Sequence, residues 1–286
     1  MKAYLILFIS TFSMITMAQS PIPYILYNSK GEVVSFDKMA KRMSNTDVVL
    51  FGELHNNSIN HWLQLQLTKK LFSMDSTLQL GAEMYESDNQ LILDEYMGGV
   101  IRKSYFEKEM RMWNNYKTDY KPVLEYAKEN KIPFFATNVP RRYAGFVAKN
   151  GLKGLQELSP EAKKYIAPLP VPFDTLAPNY DEMMNMDTGH GMGMSVEFVE
   201  AQAIKDATMA YFINKNHKKD YTFLHFQGDF HSKNHGAISW YLLKYNPGLS
   251  ILTISTQEAD GLDFKKEYKT LGDYILVIPE DMTKTY

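Results

Sequence analysis

The sequence predicts an α/β fold, a mainly parallel central sheet flanked by helices. Three observations carry this. Apolar runs of strand length recur along the chain, each ending in a polar or glycine-containing turn. Helical patterns separate most of them, and that alternation implies βαβ units with parallel strands. The composition, 45% hydrophobic and 22% charged over 286 residues, is enough to bury one sizeable core.

Taken in order, residues 24–37 read as a small hairpin turning at Lys30-Gly31. Four apolar runs follow as strands: Val48 to Gly52, Leu78 to Glu83, Pro133 to Asn138 and Tyr221 to Gly228. Between them, HWLQLQLTKKLF (61–72) places Trp62, Leu65 and Leu71 at helical intervals, and 88–97 and 118–129 do likewise. The longest helical pattern, 196–216, aligns Val199, Ala203, Ala207, Ala210 and Tyr211 on one stripe. Leu249 to Ser255 and Tyr274 to Pro279 read as two further strands. Residues 167–195 break the pattern with Pro168, Pro170, Pro172 and Pro178 and then DEMMNMDTGHGMGMS, the composition of a long surface insertion.

At the start, Lys2 precedes a short apolar stretch, Tyr4 to Met17, and Thr16-Met17-Ala18 sets small residues at −3 and −1. This reads as a secretory signal over 1–18, cleaved after Ala18, leaving a single domain over 19–286. The stretch is too short to span a bilayer comfortably. The expectation is an exported protein, periplasmic or secreted. Cysteine is absent, so disulfides, thiolate ligands and lipid anchoring through cysteine are excluded. Lys plus Arg (31) nearly balance Asp plus Glu (33), which gives no electrostatic case for nucleic acid.

Ligands of open α/β sheets bind beyond the carboxyl ends of the strands. There this chain sets Gly52-Glu53-Leu54-His55, then Gly81-Ala82-Glu83, then Thr137-Asn138-Val139-Pro140-Arg141-Arg142, then Gly228-Asp229-Phe230-His231. The Gly-acid-x-His signature occurs twice. Glu53, His55, Glu83 and His231 in one cleft have the composition of a divalent-metal site and equally of an acid/base pair. Each alone could be a helix cap or ion-pair partner; burying all of them unpaired would be costly. His61 follows His55 by six residues and is a candidate for the same cleft, while His225, inside a strand, reads as a satisfied core residue. His235 reads as a cap or rim residue, and His217 is assigned no function. Gln202 and Asp206, four apart on one helix face, read as supports of the cleft. Met183, Met184, Met186, His190, Met192 and Met194 include soft ligands that suit Cu(I), but Met is also an adaptable apolar surface, and a lid or apolar wall is the preferred reading.

The strings GELHNN, GAEMYESDNQ, ATNVPRRYA, EAQAIKDATMA and GDFH…HGAISWYL, in that order, resemble the ChaN-like haem-binding uptake proteins, which belong with the Tiki proteases and erythromycin esterases in one superfamily. The resemblance runs from about Asp47 to Leu243. It implies the α/β fold above and an exported, haem-binding protein of iron uptake. It implies tyrosine ligation of haem at a dimer contact, hence a possible homodimer and outer-membrane uptake machinery as partners. Tyr120, Tyr143 and Tyr180 lie in or beside family-like segments, His190 is an imidazole in the insertion, and Arg141 and Arg142 suit haem propionates. For the Tiki and esterase branches, paired Gly-x-x-His motifs with a Glu imply a metal-dependent hydrolase, in which Glu53, His55, Glu83 and His231 bind a divalent metal or activate water. Haem is the leading cofactor and the metal ion the alternative.

Overall fold

The computed structural model describes residues 21–74, 77–186 and 193–286. The expected signal over 1–18, His190 and Met192 lie outside the described residues. The strands are β1 (Ile25–Asn28), β2 (Val48–Glu53), β3 (Leu78–Glu86), β4 (Phe134–Asn138), β5 (Thr222–Gly228), β6 (Ile251–Ala259) and β7 (Tyr274–Pro279). They form one sheet in the order β1-β7-β6-β2-β5-β3-β4. Every pairing is parallel except β1 with β7. The expected α/β fold is therefore what the chain adopts.

β2 stands at the centre of the sheet and is buried along its whole length. Its side chains alternate between faces, as the pleat requires. Val49 and Phe51 join one core cluster with Leu63 and Leu67 of helix Ser58–Met74 and with Leu124 of helix Lys121–Glu129. Val48 and Leu50 join the other, with Val199, Ala203 and Ala207 of helix Val196–Asn216. Helices thus cover both faces, and burial on both sides explains why the strands read as continuous apolar runs. The long helix starts at Ser195, whose hydroxyl accepts the Phe198 N–H.

Two expectations need adjusting. The turn at Lys30-Gly31 forms, with the Asn28 N–H donating to the Glu32 carbonyl at 3.0 Å and the Val34 N–H to the Leu26 carbonyl at 2.8 Å, but its returning arm makes only an isolated bridge, Val33 to Tyr27, and the other edge of β1 pairs with β7. The described part of the 167–195 stretch is more than a surface loop. It carries a short helix, Tyr180–Met184, and Ala177, Tyr180 and Met183 enter the second core cluster. Among the described residues no helix is long and apolar enough to cross a membrane.

Candidate functional site

The site is built on the central strands. β2 and β5 are neighbours in parallel register, with Glu53 opposite Gly228. The two Gly-acid-x-His motifs therefore leave the sheet side by side. Glycine is needed at the first position of both because neighbours crowd there. A Cβ on Gly52 would stand 2.9 Å from the Asp229 Cα and from the Ile254 carbonyl oxygen. A Cβ on Gly228 would stand 2.8 Å from His55 Nε2.

The first motif forms one arm. The Glu53 carboxylate is buried, and its Oε1 accepts from the Tyr120 hydroxyl at 2.8 Å and lies 2.9 Å from His55 Nδ1. Gln64 Nε2 donates to Oε2. These donors hold Glu53 ionised. Burial would raise its carboxyl, but the bonds from His55 and Gln64 and the charges of His61 and His55 outweigh it and leave it below the usual range. On His55 burial acts the other way, and Glu53 together with the charge of Glu83 prevails, so the imidazole is raised. The carbonyl of His55 is gripped as well, by His61 Nε2 at 3.0 Å and Asn115 Nδ2 at 2.9 Å. Leu54 N–H donates to Asn60 Oδ1 at 2.8 Å. Backbone and ring are both fixed, and the ring packs edge-on against Trp113 at 4.9 Å.

The second motif is wired differently. Its acid, Asp229, turns away from the cleft and accepts from Ser255 Oγ at 3.0 Å and the Thr256 N–H at 3.1 Å. Burial lifts this carboxyl to about 6 despite those bonds. His231 takes its partners from other elements. Its Nδ1 lies 2.5 Å from Asp206 Oδ1 on the long helix, and its Nε2 lies 3.3 Å from Glu83 Oε1 at β3. Burial lowers an imidazole, but the charges of Glu83 and Asp206 push His231 up to about 10. Glu83, raised by burial alone, is held well below the usual carboxylate range by His231, His55 and the Gly228 N–H, which donates to Oε2 at 2.8 Å. At neutral pH His231 is thus a buried cation beside a carboxylate. The Tyr180 hydroxyl donates to Asp206 Oδ2 at 2.7 Å and completes this arm.

Above the two arms opens a cleft of about 720 Å3, within the usual range for a ligand site. Its polar wall holds His55, Glu83 and His231, and its apolar wall Met112, Trp113, Val139 and Ala144. Arg141 and Lys205 add positive charge. At the rim, Glu86 accepts from Arg111 Nε at 2.7 Å and also from Arg141, while Asp88 accepts from Arg142 Nη1 at 2.5 Å and from Arg111.

The model of the family described as haem-binding uptake, Tiki superfamily, ChaN matches residues 39–242, well over half of the chain. This chain belongs to that family. The solved structure of ChaN from Campylobacter jejuni, described as showing cofacial haem binding, superposes with a TM-score of 0.63 at 17% identity, covering 89% of this chain and 96% of that one. An erythromycin esterase mutant in its open conformation gives 0.46 at 11% identity over 82% of this chain and 77% of that one. A curated relative, RETICULATA-RELATED 5, chloroplastic, from Arabidopsis thaliana, is 28% identical over 153 residues, 48% of this chain and 20% of that protein, so the chain matches about a fifth of its length.

Within this ChaN-family fold, three of the four acid and imidazole residues expected from the sequence, His55, Glu83 and His231, line the cleft. Glu53 is the exception in reach, since it lies beneath the cleft and acts on His55. Among the described residues no group of three or more His, Cys, Asp or Glu side chains is arranged to hold a metal ion. The tyrosines proposed for haem fall elsewhere. Tyr120 is buried with its hydroxyl committed to Glu53, and Tyr180 is 0% exposed with its hydroxyl committed to Asp206. Both are supports of the two arms, and neither can offer oxygen to a ligand in the cleft without breaking a buried hydrogen bond. Tyr143 is half-buried beneath the Arg142 guanidinium, 4.4 Å from the ring centroid, and Arg142 pairs with Asp88. His225 is a core residue as expected, set between Thr137 Oγ1 at 2.7 Å and Gln227 Oε1 at 2.8 Å and pushed down to about 4 by burial. Sequence reading missed Asn115, Asp119, Lys205 and Tyr286, and it gave no role to Gln64 and Trp113, which lie in family-like strings. Of these, Gln64 had a signal, being one helical turn from His61 on the same helix face.

Proposed function

We propose that this protein is an exported haem-binding protein of iron uptake, and that haem occupies the cleft above β2 and β5. The observation that carries the reading is the make-up of the cleft wall. The apolar residues Trp113, Met112, Val139 and Ala144 share the cleft with two cations, Lys205 and the Glu86-paired Arg141, and with one partly exposed imidazole, His55. Haem needs those three things: an apolar face for the ring, cations for the propionates and a donor for the iron. His55 would be that donor, its Nδ1 pinned by the buried Glu53 as histidine ligands commonly are. Bound there, haem would supply iron as cargo; the chain would bind it, orient it and exclude water from one face. Export after cleavage of the 1–18 segment, a homodimer and membrane uptake machinery as partner belong to the same proposal and agree with the family's description as an uptake protein.

Titrating the mature protein with haemin tests this. A shifted visible band that saturates at fixed stoichiometry is expected, and His55→Ala should weaken or shift it. A featureless, non-saturating titration would overturn the reading.

One observation favours a second reading. The buried Asp206–His231–Glu83 array has no evident part in holding haem. In a hydrolase, His231 would be the acid, since it is charged at neutral pH, and Glu83 would be too weak a base. His55, oriented by Glu53, would then take the proton from water in its neutral form. Ester or amide hydrolysis that disappears in His55→Ala and in His231→Gln would support it; no turnover of any ester or amide tried, with both variants folded, would count against it.

A further inference from the structure

The segment after β7 lies outside the residues matched by the family model, which end at 242. It nevertheless reaches the cleft. Lys284 bridges Asn57 in antiparallel fashion, and the Thr285 N–H donates to the Asn56 carbonyl at 2.9 Å. Lys284 also pairs with Glu258. These contacts lay the segment along the loop 54–57, which carries His55.

Its anchor is Asp119. The Thr285 hydroxyl donates to Asp119 Oδ2 at 2.7 Å. The same oxygen accepts from Asn115 Nδ2 at 2.6 Å and lies 3.4 Å from His61 Nε2. Asn115 and His61 are the two side chains that hold the His55 carbonyl. One buried carboxylate therefore joins the segment to both supports of the His55 loop. The next residue, Tyr286, lines the cleft beside His55, Trp113 and Asn115 while remaining 65% exposed. Glu53 and Asp119 lie close enough for their charges to act on its phenol.

We infer that residues 284–286 are part of the ligand site: Thr285 latches the His55 loop through Asp119, and Tyr286 supplies an aromatic wall facing the same space as Trp113, which favours a flat, conjugated ligand. The ligand class rests on the haem reading above; the latch does not. The large exposed fraction of Tyr286 is the surface a flat ligand would cover, and aromatic faces bind such ligands through area and ring electrostatics.

The test uses the full chain and four variants: Thr285→Val, Thr285→Ser, Tyr286→Ala and Tyr286→Phe. Amide hydrogen exchange without ligand reads the latch. Thr285→Val should speed exchange at residues 54–57 severalfold, and Thr285→Ser, which keeps the hydroxyl, should restore it. Unchanged exchange in Thr285→Val, or failure of Thr285→Ser to restore it, would overturn the latch. Titration with haemin and with metal-free protoporphyrin reads the wall. Tyr286→Ala should weaken both by about tenfold, the scale of one aromatic contact, and Tyr286→Phe should bind both like the parent chain. Loss of haemin alone in Tyr286→Phe would make Tyr286 an iron ligand and overturn its role as a wall. If the parent chain bound neither porphyrin, the haem reading and the wall would fall together, and the exchange measurement would still decide the latch.

Discussion

At the residue scale, the two copies of Gly-acid-x-His show how one signature can serve two electrostatic ends. In the first, the acid turns to its own histidine: Glu53 orients His55. In the second, Asp229 braces β6, and His231 is charged by Glu83 and Asp206 from β3 and the long helix. That arrangement fixes a pH dependence. The folded His231 is pushed up to about 10, against about 6.5 in the unfolded chain. Its contribution to stability is complete below about pH 6.5 and is lost as pH rises through 10, on the order of 1 kcal/mol per unit between. The melting temperature of the parent protein should fall from pH 7 to pH 10, and His231→Gln should flatten that slope. Equal slopes in the two proteins would show that His231 does not carry the charge assigned to it.

At the scale of elements, the close approach of β2, β6 and the turn after β5 depends on Gly52. The atoms its Cβ would meet include two backbone atoms, which cannot swing aside like a side-chain tip. Gly52→Ala should therefore destabilise by about 2 kcal/mol or more, lowering the melting midpoint by roughly 5 °C. Gly261→Ala is the control, since a Cβ there meets nothing within 4 Å. Similar midpoints for the two variants would refute the crowding argument. The long helix shows the converse dependence of a site on its scaffold. Asp206 is placed by packing of Ala203, Ala207 and Ala210 against the sheet face, and small residues there let the helix approach closely.

Over the whole molecule, what was legible in the sequence was what local pattern controls. Strand length, helical stripe and the Gly-acid-x-His turns place the sheet, its helices and the convergence of His55, Glu83 and His231. What was not legible depends on partners far apart in the chain. Lys30-Gly31 makes the local turn expected of it, but no local pattern records that the other edge of β1 pairs with β7. Tyr120 and Tyr180 stood as haem-ligand candidates because no local pattern records that their hydroxyls meet Glu53, 67 residues away, and Asp206, 26 residues away. Tyr286 had no local signal at all.

The position of β2 and β5 in the middle of a seven-stranded sheet has one more consequence. Sheets fray from their margins, and the innermost pairings open only when the whole protein does. The carboxyl ends of these two strands should therefore open among the last parts of the described fold, and partial melting at the margins should leave the spacing of the two arms unchanged. Any signal that turns the site on or off has to act through the loops above that floor.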